Sequence, residues 1–218
     1  MAAGTAVRSA FDLTLYLVVG SDAVGGRALT DVVSAAVKGG VTLVQLREKD
    51  APFEQMVEQA SALKALLAPL GVPLIVNDHL DVALAAEADG LHLGQDDGDP
   101  QAARNAIGPE RILGLSAGDP EEAATVDPAI VDYAGIGPAY ATGSKADAGE
   151  AIGLSGLRRL RACLDLPLVA IGGIDSDKAA AVMTTGVQGV AVVSAICATD
   201  DPEAAARKLR DAIEAGRP

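Results

Sequence analysis

The sequence has few aromatic residues and few cysteines. Its 218 residues include two phenylalanines, three tyrosines and no tryptophan, although half of the chain is apolar. A core of this size must therefore be built from Val, Leu, Ile and Ala, which suits a parallel sheet covered on both faces by helices. Cys163 and Cys197 form no CxxC pair. We therefore expect two inert buried thiols, with neither a disulfide framework nor a zinc site.

An excess of basic residues and long apolar runs are also absent. The formal net charge is −13 at pH 7, and an acidic surface repels nucleic acid and anionic membrane, so we expect neither as a partner. No apolar run approaches the length of a membrane span. Asp12 interrupts the apolar stretch 11–20, and Arg8 is the only charge before it. This stretch therefore predicts a first strand rather than a signal peptide, and a cytoplasmic protein.

Eight aliphatic runs alternate with eight helical segments, without a break in composition. We predict strands at residues 13–19, 41–46, 73–76, 90–93, 111–115, 131–136, 168–171 and 189–193. This alternation indicates a compact (β/α)8 TIM barrel, forming one domain over residues 1–218 with a disordered N-terminal extension at 1–10. A doubly wound open sheet is the alternative. It would show fewer strands and a GxGxxG loop after the first one, which the loop 21–26 lacks.

Carboxylates gather in a stretch that contains no Lys or Arg between residues 64 and 104. The acidic residues there are Asp78, Asp81, Glu87, Asp89, Asp96, Asp97 and Asp99. Asn77 and Asp78 follow one predicted strand, and Asp96 and Asp97 follow the next. Taken alone, the stretch is better explained by a helix cap and a solvated turn. Acids at neighbouring strand ends without a basic partner nonetheless favour a cation, and Mg²⁺ takes one or two carboxylates with water and phosphate oxygens.

Basic side chains follow the second predicted strand. Residues that follow the strands of a parallel barrel converge on the face that holds the active site. Gln45, Arg47 and Lys49 alternate at period two and therefore share a side. An Arg and a Lys in this place suit a polyanion. Two surface bases flanking Glu48 are the plainer interpretation, but in so acidic a chain the arrangement favours an anion site.

Hydroxyls and glycines follow the fifth to eighth predicted strands. Ser116 places a hydroxyl at the mouth, and the long loop 137–145 carries hydroxyls, glycines and one Lys that could fold over an anion. Gly172-Gly173 and Ser194 stand in the two loops that usually form the phosphate site of a barrel. We expect His92 to be a hydrogen-bonded structural histidine and His79 a polar surface residue. No nucleophile–base pair is apparent, so the pattern predicts departure of a diphosphate with Mg²⁺ and bases stabilising its charge.

These segments, in this order, resemble the thiamine-phosphate synthase family. The matching segments are QLREK at 45–49, VND at 76–78, ADGLHLGQDD at 88–97, LGLSA at 113–117, GIGPAYATGSK at 135–145, AIGGI at 170–174 and VVSAI at 192–196. The resemblance covers nearly the whole chain. It implies a transferase that joins a hydroxymethylpyrimidine diphosphate to a thiazole phosphate through a pyrimidine carbocation and releases pyrophosphate.

The resemblance also implies roles for individual residues. The pyrimidine would contact Gln45 and Ser116. The diphosphate would be held by Arg47, Lys49, Asn77 and Lys145. The Mg²⁺ ligands would be Asp78 and Asp97, with Asp96 the less suitable of the neighbouring pair. The thiazole phosphate would be received by Thr142, Ser144, Gly173, Val193 and Ser194. The residues with catalytic roles would be Arg47, Lys49, Ser116 and Lys145.

The chain departs from the family pattern at three places. Gly118-Asp119 replaces a frequent His-Thr, Ala141 replaces a usual Pro, and Ser144 replaces a usual Thr while keeping the hydroxyl. The first two put the shapes of their loops in question, not the reaction.

Two alternatives remain open. A thiazole tautomerase, an isomerase of the same fold, would not need both the basic and the acidic set, and its expected histidine near position 118 is missing. A non-catalytic barrel could instead bind a phosphorylated thiamine precursor. The sequence is compatible with a homo-oligomer but does not determine the oligomeric state.

Overall fold

The computed structural model describes residues 11–143 and 149–217, and in it eight parallel strands close into a barrel. The strands are β1 (Leu15–Val19), β2 (Leu43–Leu46), β3 (Leu74–Asn77), β4 (Gly90–Leu93), β5 (Ile112–Ala117), β6 (Tyr133–Ile136), β7 (Leu168–Ile171) and β8 (Gly189–Val192). Each strand pairs with the next, and β8 pairs with β1. The predicted (β/α)8 TIM barrel is therefore confirmed. The extension predicted at 1–10 lies outside the described residues.

Helices connect the strands around the outside of the barrel. They are α1 (Leu29–Lys38), α2 (Phe53–Leu67), α3 (Leu80–Ala85), α4 (Pro100–Ile107), α5 (Pro120–Ala123), α6 (Gly153–Cys163), α7 (Ser176–Met183), α8 (Ser194–Cys197) and α9 (Pro202–Gly216). None of the helices within the described ranges is long and apolar enough to span a membrane. The helix α8 was not predicted, because its residues follow the aliphatic run of β8 almost directly and resemble its loop.

The strands are buried on both faces, which explains their continuous aliphatic sequences. In β2, Leu43 packs inside the barrel, whereas Val44 and Leu46 pack against the surrounding helices. The alternation of side chains along a strand therefore turns Gln45 towards the barrel axis. The larger apolar cluster fills the layer between strands and helices.

Acidic residues begin four of the helices. Asp99, Asp119, Asp175 and Asp201 are the N-caps of α4, α5, α7 and α9, and each accepts a hydrogen bond from a backbone N–H of the first turn. Such caps satisfy N–H groups that have no partner within the helix. Part of the acidic excess therefore serves to start helices.

Polar side chains directly before the even-numbered strands bind backbone N–H groups at the first or second residue of the odd-numbered strands. The pairs are Thr42 with Leu15 at 3.1 Å, Asp89 with Leu74 at 2.9 Å, Asp132 with Leu113 at 2.7 Å and Gln188 with Leu168 at 2.6 Å. These bonds fasten neighbouring strands at the N-terminal end of the barrel, opposite the end that receives the predicted site residues.

Two predictions about individual side chains are wrong. Asp89 does have a basic partner, because its carboxylate forms an ion pair with Lys64 of α2, and it lies at the N-terminal end of β4. Cys163 is exposed, because it ends α6, whereas Cys197 is buried as predicted. Burial raises the pKa of the Cys197 thiol to about 12.

The buried ion pair before β6 offers a test of the hydrogen bonds that join neighbouring strands at the N-terminal end of the barrel. Asp132 binds both Arg104, at 2.6 Å, and the N–H of Leu113, and its side chain is 3% exposed. Asp132→Ala should lower the free energy of unfolding by about 3 kcal/mol, because the buried guanidinium of Arg104 loses its carboxylate partner and the N–H of Leu113 loses its acceptor. Urea unfolding followed by circular dichroism measures the loss.

Glu203→Ala is the matched control for Asp132→Ala. It also removes the carboxylate of an ion pair, but Arg207 and Glu203 are 61% and 40% exposed. The expected loss is below about 1 kcal/mol. Equal losses in the free energy of unfolding would show that the hydrogen bonds at the N-terminal end of the barrel contribute little to stability.

Candidate active site

Four of the predicted anion-binding residues line one cavity at the C-terminal end of the barrel, whereas Asn77, Thr142 and Gly173 are not in its lining. Its volume is about 440 Å³, and its lining includes Arg47, Lys49, Gly143, Val193 and Ser194. A cavity of about 710 Å³ lies at the opposite end, lined by residues that precede the strands and by none of the predicted site residues. Because barrel active sites lie at the C-terminal end, we assign the smaller cavity as the candidate site and call its surroundings the mouth.

The basic residues after β2, Arg47 and Lys49, line this cavity together with Asp22 of the loop after β1. The backbone N–H of Arg47 donates to Val19 at 2.8 Å, which continues the pairing of β2 with β1. Glu48 turns to the loop after β1, where it accepts two 2.7 Å hydrogen bonds from the backbone and hydroxyl of Ser21. The Lys49 ammonium lies 3.6 Å from the carboxylate of Asp22. Glu48 therefore binds Ser21 through Oε1.

The predicted metal ligands lie at the ends of β3 and β4. Asp78 has a φ of +62°, a left-handed conformation uncommon for residues other than glycine, and its N–H donates to the carbonyl of His92 at 2.8 Å. Such backbone conformations occur often at functional sites. The carboxylate of Asp97 accepts from the N–H of Gly94 at 2.7 Å, so it folds back onto the end of β4. Asp96 is exposed beside it.

A metal held by protein side chains alone is not indicated at this place. Within residues 11–143 and 149–217, no group of three or more His, Cys, Asp or Glu side chains could hold a metal ion. Two carboxylates nonetheless fit Mg²⁺, which usually completes its shell with water and substrate phosphate oxygens.

The loops after β6 and β7 pack tightly against each other. The N–H groups of Ala139 and Tyr140 donate to Ile171 and Gly172, at 2.8 and 3.0 Å. Gly173 has a φ of +63°, and a Cβ atom placed there would lie 2.5 Å from the carbonyl oxygen of Ala141. The two segments therefore form one surface, and the Ala141 departure does not separate the loop from β7.

Lys178 contacts both of these loops, and the sequence did not predict it as a residue of the site. Its ammonium donates to the carbonyl of Gly173 at 3.0 Å and to Asp175 at 2.6 Å, and it lies 5.2 Å from the ring centre of Tyr140. The hydrogen bond from Lys178 lowers the pKa of Asp175 below its ordinary value. An aspartate–lysine pair three residues apart at a helix start is common in sequences. The sequence therefore did not indicate that Lys178 lies beneath the loops after β6 and β7.

The remaining residues of the predicted phosphate site are partly described. Thr142 is half-buried, and Ser194 is exposed at the start of α8, directly after Val193. Ser144 and Lys145 lie outside the described residues.

Polar residues inside the barrel join the two predicted pyrimidine contacts. Gln45 Nε2 donates to the Tyr16 hydroxyl at 2.7 Å, and this hydroxyl lies 2.8 Å from that of Tyr133. The Tyr133 hydroxyl lies 2.8 Å from Nδ1 of His92, whose Nε2 lies 3.0 Å from the Ser116 hydroxyl. We call these five residues the interior network. The prediction of a hydrogen-bonded His92 is confirmed, and its partners include a predicted site residue.

Residues around the network complete this side of the mouth. Asn77 is buried at the end of β3, and His79 is half-buried at the N-cap position of α3. Gln95 donates to the carbonyl of Ser116 at 2.6 Å and was not predicted. The GQDD segment that contains it could have suggested a polar contact at the mouth.

The Gly118-Asp119 departure is explained by the local structure. Asp119 caps α5 with hydrogen bonds from two backbone N–H groups, and Gly118 donates to the Glu122 carboxylate at 2.6 Å. The loop after β5 is therefore closed by its own helix cap.

The chain is similar to known proteins over most of its length. The family described as thiamine monophosphate synthase matches residues 15–196. The thiamine-phosphate synthase of Xanthobacter autotrophicus is 59% identical over 207 residues, covering 95% of this chain and 98% of its own. That of Azorhizobium caulinodans is 52% identical with the same coverage. The solved thiamine phosphate pyrophosphorylase from Pyrococcus furiosus is 37% identical with a TM-score of 0.84, covering 93% of this chain and 96% of that chain.

The contact between Gly173 and the loop after β6 can be tested by adding one methyl group. Gly173→Ala should lower the melting temperature, because the residue keeps a positive φ and its Cβ would also meet the Ala141 oxygen at 2.5 Å and Tyr140 at 2.9 Å. Gly71→Ala is the control, since Gly71 has a φ of +67° but no atom within 4 Å of a Cβ. We expect Gly173→Ala to cost about 1–3 kcal/mol more than the control. Equal costs would show that the two loops do not depend on this contact.

Proposed function

Because the chain belongs to the thiamine-phosphate synthase family of transferases, we propose that its mouth joins a hydroxymethylpyrimidine diphosphate to a thiazole phosphate and releases pyrophosphate. The observation that carries this proposal is the single cavity lined by Arg47 and Lys49 on one side and Val193 and Ser194 on another. A reaction between two phosphorylated substrates needs two anion sites within reach of each other, and this arrangement supplies them.

The diphosphate is bound at the β2 side of the mouth. The Arg47 guanidinium can bind two phosphate oxygens at once, and Lys49 adds a point charge. The exposed ion pair of Lys49 with Asp22 is weak, so a diphosphate can displace Asp22. Asn77 offers its amide from the end of β3. Lys145, outside the described residues, stays a predicted fourth contact.

Mg²⁺ is the expected partner of the diphosphate. Asp78 and Asp97 would hold it, since Mg²⁺ needs only one or two carboxylates when phosphate oxygens and water supply the rest. When bound, the ion neutralises charge on the departing diphosphate. Asp78 is held by its N–H on β4, and Asp97 is held by the N–H of Gly94. These contacts fix both residues before any ligand arrives.

The other substrate positions follow from the remaining strand ends. Gln45 and Ser116 contact the pyrimidine from the barrel axis. Thr142, Gly173, Val193 and Ser194 receive the thiazole phosphate, with Ser144 as a further predicted contact outside the described residues. The pyrimidine therefore lies between the two anion sites.

The reaction is a dissociative substitution. The bond from the pyrimidine methylene carbon to the diphosphate oxygen breaks, and its electron pair leaves with the diphosphate. Arg47 and Lys49 stabilise the charge that develops on the leaving group, and Ser116 holds the pyrimidine in place as it becomes a carbocation. The thiazole nitrogen then donates its electron pair to that carbon. Arg47, Lys49, Ser116 and Lys145 are thus the proposed catalytic residues.

Incubation of the purified protein with both substrates and Mg²⁺ tests this function. We expect equimolar thiamine phosphate and pyrophosphate, measured by chromatography and a coupled phosphate assay. Isomerisation of a thiazole phosphate alone would support the tautomerase alternative. Binding of either substrate without any product would support the non-catalytic alternative.

We also propose that the barrel is a single cytoplasmic domain over residues 1–218. Fractionation of the source cells would test the location. Light scattering would measure the molar mass in solution and so show whether the protein is a homo-oligomer.

The metal assignment makes a prediction about neighbouring aspartates. Asp78→Asn and Asp97→Asn should each raise the Mg²⁺ concentration for half-maximal activity at least about tenfold, because an amide is a weaker magnesium ligand than a carboxylate. Asp96→Asn is the matched control, since it removes the same charge one residue away and should leave the Mg²⁺ dependence nearly unchanged. Titration of activity with Mg²⁺ measures all three. A shift in Asp96→Asn alone would move the site to the neighbouring residue.

The two anion sites should respond separately to substitution. Ser194→Ala should raise KM for the thiazole phosphate about five- to tenfold, because one hydrogen bond to its phosphate is lost. It should leave KM for the pyrimidine diphosphate nearly unchanged. Arg47→Ala should show the opposite selectivity. If both variants affect both substrates equally, the proposed division of the mouth is wrong.

A further inference from the structure

The interior network connects Gln45 and Ser116 through Tyr16, Tyr133 and His92. It consists of four successive hydrogen bonds, with donor–acceptor distances from 2.7 to 3.0 Å. The members come from strands β2, β1, β6, β4 and β5. The two proposed pyrimidine contacts are therefore ends of one hydrogen-bonded structure.

The tyrosines of the network are enclosed by apolar side chains. Tyr16 is 1% exposed and Tyr133 is fully buried, and both pack in the inner cluster with Val18, Leu43 and Ile75. A buried hydroxyl without a partner costs free energy, so each must bind another polar group. Burial raises the pKa of both phenols well above the ordinary value, so both keep their protons.

Gly114 makes room for the contact between His92 and Tyr133. These three residues lie side by side in register on β4, β5 and β6. A Cβ atom on Gly114 would lie 2.4 Å from His92 Nδ1 and 2.2 Å from Cζ of Tyr133. The bond between the imidazole and the phenol therefore requires a residue without a side chain between them.

The donor at Gln45 sets the order of protons along the network. Gln45 donates to Tyr16 through Nε2, so the Tyr16 proton goes to the Tyr133 oxygen. The Tyr133 proton then goes to Nδ1 of His92, since each hydroxyl carries one proton. His92 therefore carries its proton on Nε2 and donates it to the Ser116 oxygen. This order leaves the Ser116 proton and the Gln45 carbonyl oxygen for other partners.

We propose that Tyr16 and Tyr133 fix His92 as the Nε2–H tautomer. The three are then positioning residues, because together they orient Gln45 as an acceptor and Ser116 as a donor for the ligand. A ligand edge with an N–H donor near a ring-nitrogen acceptor, as in an aminopyrimidine, matches this pair. The identity of the ligand rests on the proposed function, whereas the tautomer does not.

The tautomer can be measured without any substrate. The chain has two histidines, so ¹⁵N-histidine labelling of the untagged protein yields four ring-nitrogen signals, and His79→Gln assigns those of His92. Two-bond ¹⁵N–¹H correlations should show His92 protonated on Nε2 and unprotonated on Nδ1. Tyr133→Phe, which removes the donor to Nδ1 and keeps the ring, should abolish this single tautomer. Tyr140→Phe, the same change outside the network, should leave it intact.

Kinetics separate positioning from a structural role. Tyr133→Phe should lower kcat/KM for the pyrimidine diphosphate about tenfold or more, with KM for the thiazole phosphate unchanged. A purely structural defect would reduce the fraction of active protein and leave both KM values unchanged. Tyr16→Phe breaks the same network one step away, so the double variant should be no worse than the more damaging single one.

Each outcome decides the proposal. A His92 protonated on Nδ1, or on both nitrogens, would overturn the proton order. A tautomer that survives Tyr133→Phe would overturn the role of the tyrosines, and additive kinetic losses would overturn the network as a unit. If the protein forms no thiamine phosphate, the proposed function fails while the spectroscopic result still stands.

Discussion

The pairing of β8 with β1 is the constraint on which the site depends. An open sheet would spread the residues that follow its strands along one edge, but closure brings them onto one ring. Residues as distant in sequence as Arg47 and Ser194 therefore line one cavity. The two anion sites follow from this closure together with the polar residues that the sequence places after the strands.

The two ends of the barrel divide stability from function. At the N-terminal end, the carboxylates of Asp89 and Asp132 accept hydrogen bonds from backbone N–H groups. They also form ion pairs with Lys64 and Arg104, respectively. At the mouth, Asp78 has a left-handed backbone, and Asp97 is exposed. Inside the barrel, polar atoms satisfy one another through the interior network, so the apolar core tolerates them close to the site.

Much of the fold could be predicted from sequence, because each buried strand reads as a short aliphatic run and each βα unit repeats. The network could not, since Tyr16, His92 and Tyr133 are unremarkable residues on separate strands until the register brings them together. Asp89 misled because its partner, Lys64, lies on a packed helix rather than nearby in sequence. Cys163 misled because composition does not reveal the exposed end of a helix. The residues after the strands were predicted as one site because strand ends are visible in sequence, and Arg47, Lys49, Val193 and Ser194 of that set line one cavity.

A crystal structure with thiamine phosphate, pyrophosphate and Mn²⁺ in place of Mg²⁺ tests the central claim of two anion sites in one mouth. We expect pyrophosphate at Arg47 and Lys49, the product phosphate at Gly173 and Ser194, and an anomalous peak beside Asp78 and Asp97. Pyrophosphate at Ser194, or either ligand in the cavity at the opposite end of the barrel, would contradict the account.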